Sequence, residues 1–248
     1  MQQSDEPTGL RLLAIRAANI AGKPFGIAPF PRAFRPAAEA QGRAEVFDKI
    51  YRDNGWGSGE SRSGLGSEAS YAGAFAGRLL QCLEDIGARS LFDAPCGDLN
   101  WVAPILRSGY RYSGGDISAT LIDDLQRRHA NLDLRQFDIC RDPFPESDAW
   151  LCRDCLFHLP SADIRRALEN FNRSNIPVAL ITTHRGRLLR NLDVQAGGFR
   201  YLDLERAPIG LPPAERYLKD YRIGRDFPRY VGLWRRETIQ AAVDSWGE

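Results

Sequence analysis

Apolar residues recur at helical spacing across residues 68–86, at Tyr71, Phe75, Leu79, Leu80 and Leu83, and Gly87 follows as a stop. Beyond Arg89 the pattern changes to short apolar runs separated by helical stretches. The runs are Leu91-Phe92 ending in Asp93, then 111–116, 132–138, 148–154 and 178–183. The helical stretches are 100–106, 120–128 and 162–171, with Ser118 and Ser161 placed as N-caps of the last two. Strand–helix alternation of this kind predicts a parallel sheet joined by right-handed crossovers. After the fifth run the pattern weakens, leaving two further strands at 217–223 and 229–234.

Ahead of this region the chain reads differently. Residues 10–20 form a short amphipathic pattern, and Pro24, Pro29, Pro31 and Pro36 then forbid a continuous helix. Residues 45–51 predict a helical turn, followed by a Gly/Ser-rich stretch that holds Trp56 and leads into the helix over 68–86. Such a stretch is either a linker or a lid over a bound ligand. Residues 1–67 are accordingly expected to be an extension with a lid, and 68–248 the catalytic domain.

The chemistry begins at the strand ends. Four successive runs close on a carboxylate: Asp93, Asp116, Asp138 and Asp154. The first opens into the turn Asp93-Ala-Pro-Cys-Gly-Asp98, where a nucleotide-like ligand can approach backbone at a strand's C-terminal end. The G-x-G-x-x-G pattern of dinucleotide sites is absent, and two carboxylates would repel a pyrophosphate. A ligand carrying an amine or sulfonium would be attracted, which favours S-adenosylmethionine over NAD. Asp116 stands about 20 residues after the first turn, where α/β nucleotide folds place the acid that grips ribose hydroxyls.

Over residues 68–240 the chain resembles a class I S-adenosylmethionine-dependent methyltransferase. Asp93–Asp98 looks like that family's first motif in a D-x-P-C-G-D variant, and Arg153-Asp154 like the start of its substrate-facing motif. Trp56-Gly57 and the S-x-S-G-x-G-S run over 61–67 resemble a bacterial subgroup of it. The resemblance implies a Rossmann-like, mostly parallel seven-stranded sheet with helices on both faces, an antiparallel last strand and a helical N-terminal extension. It implies cofactor contacts at Trp56, Ser63, Asp93, Pro95, Gly97 and Asp98. It extends them to Asp116 and Ile117 at the ribose, Asp138 and Ile139 at the adenine, and Arg153. Asp98 serves equally well as an N-cap for the helix that follows.

The implied activity is methyl transfer to oxygen or nitrogen of a small polar acceptor: a sugar, a glycan intermediate or a specialised metabolite. RNA or protein methylation, or a subunit that binds cofactor without turnover, are the alternatives. Asp154, His158 and His184 are candidates for proton removal, since histidine titrates near neutral pH. His158 reads equally as a buried histidine beside Phe157 and Leu159. Residues 185–237 carry twelve basic and seven acidic side chains, so an anionic acceptor would meet Arg185 or Arg200. The whole chain is nearly neutral, at +1, which argues against nucleic acid.

Five scattered cysteines argue for a reducing, cytoplasmic setting without disulfides. Cys152-x-x-Cys155 lacks a second pair, so no metal is expected. No apolar run approaches the ~18 residues that span a bilayer.

Overall fold

The computed structural model describes residues 42–247; the helical pattern expected at 10–20 lies outside them. The described chain forms one seven-stranded sheet. Its strands are β1 (Ser90–Asp93), β2 (Arg111–Asp116), β3 (Asp133–Gln136), β4 (Ala149–Cys152), β5 (Val178–His184), β6 (Arg216–Lys219) and β7 (Arg229–Arg235). Their order across the sheet is β3-β2-β1-β4-β5-β7-β6. The first five run parallel, and β7 is antiparallel to both β5 and β6. This is the Rossmann-like arrangement expected from the sequence.

Strands β1, β4 and β5 are buried along their whole length, as strands covered on both faces must be. Alternate residues feed two cores. Leu91, Leu151 and Leu180 face one, against Phe75, Leu79 and Leu83 of α2 (Ala69–Asp85). Phe92, Trp150 and Ile181 face the other, against Leu168 and Phe171 of α5 (Ser161–Asn172). The remaining helices are α1 (Arg43–Arg52), α3 (Ala103–Leu106), α4 (Ala119–Arg128) and α6 (Arg236–Asp244).

Several boundaries differ from the sequence expectation. Strands β3 and β4 stop before Asp138 and Asp154, which sit two residues beyond in the loops. The helix after β1 starts at Ala103, because Leu99 adopts a φ of 60° and breaks the register. Asp98 is therefore not its N-cap: Val102 occupies that position without a side-chain bond. Ser118 does cap α4, its side chain accepting from the Leu121 N–H. Ser161 instead lies inside α5 and donates to Asp193, with Pro160 at the cap. The strand expected over 217–223 spans only Arg216–Lys219.

The described part of the N-terminal segment is bonded to the body of the fold. Asp48 of α1 accepts from the Ser118 hydroxyl at 2.7 Å and from the Thr120 N–H at 3.0 Å. The Tyr51 hydroxyl donates to Asp124 at 3.2 Å.

Candidate functional site

Strand order reverses between β1 and β4, and in open α/β sheets the crevice beyond the strand tips at such a switch point is where ligands bind. Here a cavity of about 350 Å³ occupies that place. It sits at the small end of the range for ligand pockets, about 300–1,000 Å³.

One wall comes from the tips of β1, β2 and β3. Asp93 is buried; its Oδ2 accepts from the Tyr112 hydroxyl at 2.9 Å, while Oδ1 has no partner. Burial pushes its pKa up to about 7, against the pull of the Tyr112 bond and of Arg153. Asp116 accepts from the backbone N–H groups of Gly97 and Ser118 at 3.2 and 3.0 Å, and burial raises its pKa to about 6. Asp138 accepts from Arg43 at 2.7 Å and from the Cys140 N–H at 2.9 Å. Arg43 also reaches Asp163 at 2.8 Å, so α1 is clamped beside the β3 tip. Pro95, Ile117 and Ile139 line this wall as well.

The facing wall is the 53–68 loop. Ser61 donates to Asp98, and Ser63 Oγ accepts from the Asp98 N–H at 2.8 Å. Gly97, at a φ of 55°, leaves the space for this contact: a Cβ there would stand 2.5 Å from Ser63 Oγ. Trp56 lies against His158, ring centroids 4.3 Å apart. Trp56 and Ser63 both line the cavity, whereas Asp98 serves as the loop's anchor behind it.

The far end lies beyond β4. Arg153 donates to Asp220 at 2.9 Å and to the Gly66 carbonyl at 2.7 Å, with its guanidinium over the Trp101 ring at 4.9 Å. Asp154 holds a φ of 54° and accepts from Arg229 at 2.7 Å. Gly66 comes close here too, since a Cβ would fall 2.5 Å from Asp154 Oδ2. His158 is held by a 2.6 Å bond between Nδ1 and the Gly198 carbonyl, and burial lowers its pKa to about 4. Asp154, His158 and Arg153 all line the cavity.

Three candidates lie elsewhere. His184 is buried under Tyr201, Phe227 and Phe157, its Nδ1 accepting from the Leu202 N–H, and burial lowers its pKa to about 3. Arg185 lies over the Tyr217 ring, 3.7 Å from Glu205. Arg200 is a buried strut, bonded to Asp193 and to the carbonyls of Leu192 and Leu159. None of the three lines the cavity. Conversely Arg43, Tyr51, Trp101, Phe199 and Arg229 do line it, without having stood out in the sequence. Among the described residues no cluster of His, Cys, Asp or Glu could hold a metal ion, and no helix is long and apolar enough to cross a membrane.

Residues 91–177 match the family described as a methyltransferase domain. No curated protein sequence matches the chain. Among solved structures, it is similar to magnesium protoporphyrin IX methyltransferase from Synechocystis PCC 6803 with bound SAM. That match has 12% identity and a TM-score of 0.57, covering 81% of this chain and 100% of that one. It is similar also to 1,6-didemethyltoxoflavin-N1-methyltransferase from Burkholderia thailandensis, at 16% identity and a TM-score of 0.56, over 81% and 93% of the two chains. The methyltransferase domain of a bacterial Hen1 protein aligns over 66% of this chain and 99% of its own, at 16% identity and a TM-score of 0.51. The fold is thus the Rossmann-like one these structures share, and residues 91–177 within it resemble a methyltransferase domain.

Proposed function

We propose that this domain takes S-adenosylmethionine as methyl donor and methylates oxygen or nitrogen of a small polar acceptor. The observation that carries the reading is Asp93, a residue lining the switch-point cavity whose buried carboxylate oxygen Oδ1 has no partner. A buried polar atom of this kind is costly unless something pairs with it. The cofactor's ammonium group is a matching partner.

Asp116 fits the same ligand. A carboxylate has about four lone-pair sites, and the Gly97 and Ser118 N–H groups take two, leaving acceptors for the two ribose hydroxyls. Asp138, oriented by Arg43 and the Cys140 N–H, stands on the adenine side, with Ile117 and Ile139 as apolar faces for the base. Arg153 is held by Asp220 and Gly66 at the methionine end.

The cofactor supplies a methyl group on a positively charged sulfur: an acceptor lone pair takes the methyl carbon, the C–S electrons return to sulfur, and the acceptor's proton must leave. Alignment supplies most of the rate in such a transfer. Asp154 and His158 are the cavity residues able to receive or orient that proton.

Two experiments test the reading. Calorimetry with S-adenosylhomocysteine should show binding that Asp116→Ala weakens at least tenfold, since bonds to a charged group contribute about 1.5–3 kcal/mol each. Transfer of radiolabelled methyl from S-adenosylmethionine into a cell extract should then separate an enzyme from a subunit that only binds cofactor. Unchanged affinity in the variant, or binding of NADH in place of the thioether, defeats the assignment.

A further inference from the structure

Beyond the cofactor end, the cavity is walled by aromatic rings. Trp56 lies 4.3 Å from His158, Phe157 4.4 Å from it on another side, and Phe199 closes the row at 5.8 Å. All four line the cavity. The His158 ring belongs to this wall as an uncharged plane. Its Nδ1 bonds a carbonyl oxygen, which can only accept, so Nδ1 carries the proton and Nε2 keeps its lone pair.

The charges at this end are matched in advance. Arg153 and Arg229 both face Asp220, at 2.9 and 3.2 Å, and Arg229 meets Asp154 at 2.7 Å. Asp220 is 1% exposed and Arg153 3%, so that half of the cluster is sealed, while Arg229 and Asp154 are 12% and 18% exposed. An anionic acceptor would find Arg153 bonded to Asp220 and Gly66, and a carboxylate, Asp154, beside the Arg229 guanidinium, whose Nη2 has no hydrogen bond. Arg185 and Arg200, the cations that would have favoured one, lie outside the cavity and are paired with Glu205 and Asp193.

What this end offers is flat apolar area with an acceptor atom, His158 Nε2, and the remaining lone pairs of Asp154, whose Oδ2 takes Arg229 and whose Oδ1 takes the Thr182 hydroxyl at 3.3 Å. Aromatic faces recognise rings by offset or edge contacts. Buried acceptor atoms select a ligand that brings a donor to them, because an analogue without it leaves them unpaired. Resting on the methyl-transfer reading above, we infer that the acceptor is a flat, uncharged aromatic or heteroaromatic ring. It bears a hydroxyl or N–H, lies against the Trp56–His158–Phe199 wall, and turns its donor toward Asp154 and His158. A sugar phosphate would lack the flat faces for this wall and would bring its charge toward Asp154.

The test uses the full chain saturated with S-adenosylhomocysteine, whose own binding is measured first by calorimetry. Two flat donors, 2-naphthol and 6-hydroxyquinoline, are then titrated against methyl glucoside and glucose 6-phosphate. Both flat probes should bind with Kd below about 1 mM, and neither sugar should bind. Phe199→Leu should weaken the flat probes at least fivefold while the affinity for S-adenosylhomocysteine stays within twofold. Phe199→Met, which keeps most of the volume and removes the ring, provides a second variant if the first fails to fold. Binding of glucose 6-phosphate without the flat probes overturns the inference, as does flat-probe affinity indifferent to both variants. Failure of S-adenosylhomocysteine itself to bind overturns the methyl-transfer reading, and this one with it.

Discussion

Asp93 and Asp116 are buried carboxylates whose ionisation a bound cation would assist, and Asp93 gives the sharper test. With a pKa near 7 in the ligand-free protein, it is largely protonated at pH 6 and ionised at pH 8. A cofactor ammonium pairs only with the ionised form, so binding at pH 6 should release close to one proton and binding at pH 8 almost none. Affinity should fall by up to tenfold for each pH unit below 7. Calorimetry in two buffers of unlike ionisation enthalpy measures the released proton directly, and no release at pH 6 removes Asp93 from the ammonium site. Asp154 and His158 bear on turnover instead. If the nucleophile is a hydroxyl, Asp154→Asn or His158→Gln should lower kcat about a hundredfold, within the range a positioned base supplies, with cofactor affinity nearly intact. Turnover near the unsubstituted rate in both variants would mean that neither removes the proton.

At the scale of elements, α1 and the 53–68 loop matter as much as the sheet. The loop is fastened at Ser61 and Ser63 to Asp98 and at Gly66 to Arg153, so it covers the cavity from one side. If it closes over the cofactor, trypsin should cut at Arg52 or Arg62, both exposed, more slowly once S-adenosylhomocysteine is added. Ser63→Ala should restore part of the cleavage, and equal rates with and without ligand would leave the loop a plain connection. The sequence made the acids at the tips of β1 and β2 readable because each sits at the end of a local apolar run. It could not show Arg229 against Asp154 or Arg43 against Asp138, partners 75 and 95 residues apart. Local spacing likewise offered burial for His158 only as one of two readings and gave no sign of it for His184. Helix α6 went unread for a related reason: only Ile239 and Ala242 of it are buried, too few to mark a face.

Across the whole molecule, the fold buries ionisable groups of both kinds, and their effects on folding oppose each other. His158 and His184 have pKa values near 4 and 3 in the fold, below the ordinary 6.5. Their contribution is fully present above pH 6.5 and is lost as pH falls toward 4 and 3, because the unfolded chain then binds protons that the fold refuses. Asp93 and Asp116, raised from 3.8 to about 7 and 6, have the opposite sign. Their contribution is present in full below pH 3.8 and is lost as pH rises through 6 to 7. Between pH 4 and 6 the two sets nearly offset, so the Tm of the ligand-free protein should change little over that span. Asp93→Asn, which keeps an oxygen for the Tyr112 hydroxyl, breaks the balance. Its stability advantage over the unsubstituted chain should be small near pH 5, larger by several degrees of Tm at pH 8, and flat beyond. Saturating S-adenosylhomocysteine should reverse the ranking at pH 8, since the ligand pairs with the carboxylate and finds no charge on the amide. Thermal melts at the two pH values, with and without ligand, decide it: an advantage for Asp93→Asn that does not grow with pH would show that Asp93 is ionised at little cost in the fold.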